Sequence, residues 1–101
     1  TGISGRTAQK VSEKMALIAA KRQVLCITHL AQIASMADAH FLIEKSVKDD
    51  VTITGVKKLN QQESVREIAR ILGGTEVTDR ILESAAEMKE MAQVVKNTRL
   101  K

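Results

Sequence analysis

The chain contains one run of apolar and β-branched residues that ends in a histidine, QVLCITHL at positions 23–30. Residues 24–28 carry an apolar side chain or a threonine at every position, without polar alternation. A strand that is apolar on both faces is typical of a parallel sheet covered by helices on both sides. The run therefore predicts an α/β fold with a parallel core strand at residues 24–28.

His29 follows directly after this predicted strand and is one of only two histidines in the chain. In open parallel sheets, ligands bind just beyond the carboxyl ends of the strands. A histidine at that edge can donate a hydrogen bond to a terminal phosphate or orient a water molecule. It can also do no more than cap the following turn, and the residues alone leave both interpretations open.

Composition limits the classes of protein that remain. The 101 residues suffice for one modest hydrophobic core, and the apolar share of 44% excludes a disordered tail. The formal charge is +4, but carboxylates occur in nearly every segment and only one residue is aromatic. This pattern disfavours a dedicated nucleic-acid patch with base-stacking side chains. No stretch is long and apolar enough to predict a membrane span.

Metal and disulfide chemistry are not expected either. Cys26, His29 and His40 are the only soft ligands, and no paired spacing joins them. Cys26 lies within the apolar run, so we predict a small core residue in a protein of a reducing compartment. The sequence begins at Thr1 close to a core-type strand, which predicts a piece of a larger protein.

Hydrophobic periodicity predicts four helices and a hairpin. The hairpin consists of HFLIEKSV and VTITGVKKL joined by KDD, with a bulge at Gly55, and the third helix ends at Gly73 and Gly74. The predicted core positions are Ala8, Val11, Met15 and Ile18 in the first helix; Leu30, Ile33 and Ala34 or Ala37 in the second; Val65, Ile68, Ala69 and Leu72 in the third; and Ile81, Ala85, Met88, Ala92 and Val95 in the fourth.

A glycine-containing turn, TGISG, precedes the first helix. The loop before that helix and the loop at His29 are expected at the same edge of the predicted sheet. Glycines there allow backbone amides to approach a phosphate or a partner chain closely. No G-x-x-x-x-G-K-[ST] loop occurs, and GGTE follows a predicted helix, so it is interpreted as a helix stop.

The stretch TGISGRTAQKVSEKMALIAAKRQVLCITHLAQIASMADAHFLIEK resembles the carboxyl-terminal part of the RecN family of bacterial DNA-repair proteins, as does REIARILGGTEVTDRILESAAEMKEM. That family belongs to the SMC-like, ABC-type ATPases. The resemblance implies that residues 1–101 are the carboxyl-terminal lobe of a single P-loop ATPase head, with a parallel core strand, flanking helices and a β-hairpin. The amino-terminal lobe, the long coiled coil and the upstream phosphate-binding and signature loops are not in this chain.

By this resemblance, Gly2, Ile3, Ser4 and Gly5 correspond to the D-loop that faces a partner head, and His29 to the switch histidine near the γ-phosphate. ATP and Mg²⁺ would be bound mainly by upstream residues. The implied partners are the amino-terminal half of the same head, a second head in a homodimer, and DNA through the full-length protein. The resemblance also implies a cytoplasmic, nucleoid-associated protein without membrane contact, active as an ATPase only at full length.

A second interpretation is an interaction module without a catalytic share. In that case, DNA or a partner protein would dock on the last helix or on a basic face formed by Arg6, Lys10, Lys14, Lys57 and Lys58.

Overall fold

The computed structural model describes residues 5–99. These residues form, in chain order, α1 (Gly5–Ala19), α2 (Ala31–Ser35), β1 (Phe41–Lys48), β2 (Val51–Lys58), α3 (Gln61–Gly73) and α4 (Asp79–Arg99). The four helices pack on one another, and the two strands pair as a separate hairpin. Within this part of the chain, no helix combines the length and apolar character needed to cross a bilayer.

Helix α4 contacts each of the other three helices. Its predicted seam is confirmed, because Ala85 and Ala92 are buried while Ile81, Met88 and Val95 pack against the two clusters of buried residues. Alternating spacings of four and three keep these positions on one side of the helix. The seam is therefore used within the chain, as a docking face for α1, α2 and α3.

Helix α1 uses a different face from the predicted one. Ala8 is buried as expected, but Ser12 and Ala16 complete the buried stripe, whereas Val11 and Ile18 are exposed. Small side chains at a spacing of four allow close approach of α1 to its neighbours, and the Ser12 hydroxyl is satisfied because it donates to the carbonyl oxygen of Gln9 at 2.7 Å. The predicted assignment of Val11 and Ile18 to the core is wrong, because the face with the small side chains is the one that packs against the other helices.

Helix α3 begins and ends at local sequence signals. The Asn60 side chain accepts a hydrogen bond from the backbone N–H of Glu63 (2.8 Å), and the Glu63 carboxylate accepts one from the Asn60 N–H (2.9 Å), which forms a capping box. The helix stops at Gly74, whose φ of +66° favours glycine. The predicted stop is thus confirmed. Among the predicted core positions of α3, Ile68 and Ala69 are fully buried, but Leu72 is exposed.

The hairpin is confirmed, with a tighter turn and a more regular ladder than predicted. Asp49 and Asp50 alone form the connection, with φ values of +53° and +63°. Two consecutive positive φ angles are the mark of a type I′ turn, whose twist matches that of the flanking strands. Gly55 lies directly opposite Glu44 in an unbroken antiparallel register, so the predicted bulge at Gly55 is wrong.

Residues 24–28 do not form the predicted strand in this chain. They have no regular secondary structure, and the side chains of Leu25 and Ile27 are 88% and 84% exposed. Cys26 is exposed as well, so its prediction as a core residue is wrong here. The physical reason is the lack of a neighbour: a strand needs a ladder, and the two strands among the described residues pair only with each other.

Candidate functional site

His29 lies between segment 24–28, which has no regular secondary structure, and helix α2. The side chain is exposed. Within residues 5–99, its imidazole has no hydrogen-bond or ion-pair partner. Next to it, the half-buried Thr28 accepts a hydrogen bond at its Oγ1 from the backbone N–H of Leu30, at 3.0 Å. The backbone around His29 is therefore held by a local turn, and no residue among 5–99 occupies either ring nitrogen.

The first residue of α1 lies beside the helix that follows His29. A Cβ built on Gly5 would lie 3.2 Å from the Nε2 atom of Gln32 on α2. Helices α1 and α2 also pack against each other. Gly5, the end of the glycine-containing turn, is thus close to α2, the helix that begins two residues after His29. Gly2, Ile3 and Ser4, the other candidate residues of this turn, lie outside the described residues.

A second group of polar side chains lies where the hairpin meets the helices, with a buried serine between a half-buried histidine and a half-buried lysine. His40, directly before β1, has its Nδ1 atom 2.7 Å from the Ser64 hydroxyl, and Lys89 donates to the same hydroxyl oxygen at 2.9 Å. Ser64 is 1% exposed. A serine beside a histidine suggests a nucleophile, but this hydroxyl is closed off from any substrate, so the group is structural.

Burial changes the charge properties of this group. Loss of solvent lowers the pKa of His40; the nearby Lys89 ammonium lowers it further, and Glu67 opposes the change. Burial also lowers the pKa of Lys89, and the positive charge of Lys96 acts in the same direction. The neutral form of His40 is therefore favoured, with the hydroxyl proton of Ser64 available to its Nδ1 atom because Lys89 donates to the oxygen.

Lys96 lines one side of a small cavity of about 250 Å³ between α4 and the loop before β1. Its side chain is 9% exposed, and its ammonium donates to the carbonyl oxygen of Ala37 at 3.0 Å and lies 3.4 Å from the Asp38 carboxylate. Glu90 lines the same cavity, so its charged walls are two lysines and two carboxylates. Such balanced walls make no selective site for an anion or a cation.

The group of His40, Ser64 and Lys89 was not predicted from the sequence. The partners are 24 and 25 residues apart along the chain, so no local spacing connects them. The one available signal was Ser64 itself, a serine on the apolar face of a predicted helix. Among residues 5–99, no group of three or more His, Cys, Asp and Glu side chains is placed to hold a metal ion.

The predicted basic face is divided between two parts of the molecule. Arg6, Lys10 and Lys14 are exposed on α1, whereas Lys57 and Lys58 end β2. Lys57 is paired with the carboxylate of Glu63 at 2.6 Å. Consecutive strand residues point to opposite faces, so Lys57 and Lys58 do not act together.

Comparison with known proteins identifies the relatives of this chain. It is 50% identical to the DNA repair protein RecN of Bacillus subtilis, over 97% of the chain and 17% of the relative. By sequence, the chain is a RecN homologue. Identity to RecN of Halalkalibacterium halodurans is 44%, over 95% of the chain and 17% of that protein. For RecN of Haemophilus influenzae the identity is 41%, over 89% of the chain and 16% of the relative.

The resemblance predicted from the sequence is thereby confirmed along nearly the whole chain. The chain spans about a sixth of the length of the curated RecN proteins that it matches. No protein-family model matches it.

Proposed function

We propose that this chain is the carboxyl-terminal lobe of an SMC-like, ABC-type ATPase head that acts in the recombinational repair of DNA double-strand breaks. Homology to proteins named DNA repair protein RecN supports the repair role. The structural observation that supports the proposal is the exposed apolar segment 24–28, followed by an exposed His29; among the described residues, neither the segment has a pairing strand nor His29 a polar partner.

Segment 24–28 supports the proposal because it has the apolar composition of a core strand but is exposed and pairs with no strand among the described residues. Leu25 and Ile27 are two positions apart, so they would share one face of a strand, and both are more than 80% exposed. Burial of such side chains is worth about 1.5–3 kcal/mol each. In the complete head, residues 24–28 would form a parallel core strand beside strands of the amino-terminal half, and His29 would follow at its carboxyl end.

His29 is the described residue that best fits a terminal phosphate. An exposed imidazole whose ring nitrogens no described residue occupies can donate a hydrogen bond to a γ-phosphate oxygen and accept one from the attacking water. Mg²⁺, held by residues outside this chain, would neutralise the phosphate charge. Because phosphoryl transfer depends on positioning and charge stabilisation, the histidine helps without forming a covalent bond.

Gly2, Ile3, Ser4 and Gly5 would complete the site as a D-loop facing a second head. The proximity of Gly5 to Gln32 supports a placement of this loop near His29. ATP would then be bound between paired heads, and DNA would be engaged by the full-length protein in the cytoplasm, on the nucleoid. The isolated chain would not hydrolyse ATP, because the upstream phosphate-binding residues are missing from it.

Replacement of His29 by alanine in the full-length protein tests this proposal. We expect kcat for ATP hydrolysis to fall about 10²–10³-fold with ATP binding retained, as for other single groups that stabilise transition-state charge. His40→Ala, which removes the other histidine of this region, is the matched control and keeps its kcat per folded molecule. Wild-type hydrolysis by the His29→Ala protein would remove the histidine from the mechanism.

A further inference from the structure

The turn that carries His29 is closed by one side chain. Thr28 is half-buried, in contrast to the exposed residues on either side of it, Ile27 and His29. Its Oγ1 atom accepts a hydrogen bond from the backbone N–H of Leu30 at 3.0 Å, across His29. Threonine hydroxyls commonly close turns over two residues in this way.

This hydrogen bond spans His29 and links Thr28 to the residue before α2. Leu30 is the residue before α2, and its own side chain supplies no cap to the helix. The imidazole of His29 has no partner within the described part of the chain, so its side chain is not held by contacts of its own. The position of its Cα–Cβ bond thus depends on the residues that flank it, and Thr28 links both flanks.

We infer that Thr28 is a positioning residue for His29 in ATP hydrolysis. This inference rests on the proposed function. The hydroxyl holds residues 28–30 in one turn, so the imidazole starts from a fixed direction where segment 24–28 ends. A misplaced catalytic group costs rate even when all binding contacts remain, because the reacting geometry is then reached less often.

The test compares Thr28→Val with Thr28→Ser in the full-length protein. Valine keeps the β-branched shape and removes the acceptor, whereas serine keeps the acceptor. We expect Thr28→Val to lower kcat about ten- to a hundredfold with KM for ATP unchanged, and Thr28→Ser to remain near the wild type. If the valine protein does not fold, Thr28→Ala removes the same acceptor without placing a methyl group where the hydroxyl was.

A double variant separates positioning from a general structural role. Since Thr28 acts through His29, Thr28→Val should cause no further loss of kcat in the His29→Ala background. Multiplying losses in the double variant, an equal loss in Thr28→Ser, or a wild-type rate in Thr28→Val would each overturn the inference. A wild-type rate in His29→Ala alone would instead reject the proposed function at this residue.

Discussion

The hydroxyl of Ser64 on α3 is the shared partner of two side chains: it contacts Nδ1 of His40, and its oxygen accepts a hydrogen bond from the ammonium of Lys89 on α4. Three parts of the chain meet at this point: the start of the hairpin and two helices. The backbone adds a further link, because the N–H of Leu59 donates to the carbonyl oxygen of His40 at 2.9 Å. A network of this kind holds the base of the hairpin against the helices for as long as every member keeps its protonation state.

Protonation of His40 is therefore predicted to loosen this junction. Burial and the charge of Lys89 lower the pKa of His40 in the folded chain below the ordinary value of 6.5, while Glu67 partly opposes them. The unfolded chain then binds more protons than the folded one at mildly acidic pH, so stability is full above pH 6.5 and is lost as the pH falls through that value toward the lowered pKa.

Urea denaturation between pH 8 and pH 5 measures this loss directly. His40→Gln should remove most of the decrease in the free energy of unfolding, whereas His29→Ala, at the exposed histidine, should keep it. An equal decrease in the wild type and in His40→Gln would contradict the assignment to His40.

At the scale of single elements, the β1–β2 turn is the connection with the clearest conformational cost. Asp49 and Asp50 both adopt positive φ angles, which suit glycine better than any other residue. Type I′ turns prefer glycine at their second position. We therefore expect Asp50→Gly to raise the free energy of unfolding by about 0.5–1 kcal/mol, since glycine meets no steric penalty there.

The matched control for this turn is Asp50→Ala, which removes the same charge but keeps a Cβ. It should lower the free energy of unfolding in thermal denaturation, opposite in sign to Asp50→Gly. A shift of both variants in the same direction would show that the carboxylate, and not the backbone angle, determines the stability of the turn.

The elements that could be predicted from the sequence are those with local signals. The seam of α4, the stop of α3 at Gly74 and the hairpin all depend on residues within a few positions of one another, and the structure confirms them. The buried face of α1 was missed because its small residues, Ser12 among them, carry a weaker hydrophobic signal than the exposed Val11 and Ile18. Local patterns do not show which apolar face a neighbour covers.

The candidate site was predictable only in its position along the chain. An apolar run that ends in a histidine pointed to His29, and the structure leaves that side chain exposed at the end of the segment. Pairing between strands and contacts such as that of His40 with Ser64 join residues that are far apart in sequence. Neither follows from the spacing of residues, and the sheet that segment 24–28 would join is not formed by the described residues.

At the scale of the whole molecule, the chain is a helical layer with two exposed additions, the hairpin and segment 24–28. Exposed valine, leucine and isoleucine occur in both, as at Val47, Val56, Leu25 and Ile27. An isolated two-stranded hairpin is marginally stable in water, and an unpaired strand leaves its backbone groups to solvent. If the proposed function is correct, the remainder of the full-length protein covers both of these surfaces.

Amide hydrogen exchange of residues 24–28, measured in the 101-residue chain and in the full-length protein, shows whether they form a core strand. We expect fast exchange in the isolated chain, where no described residue pairs with them in a ladder. In the full-length protein, we expect protection close to that of the most stable core amides, as for a central strand. Equally fast exchange in both would contradict a core strand at this position, and with it the placement of His29 at a nucleotide.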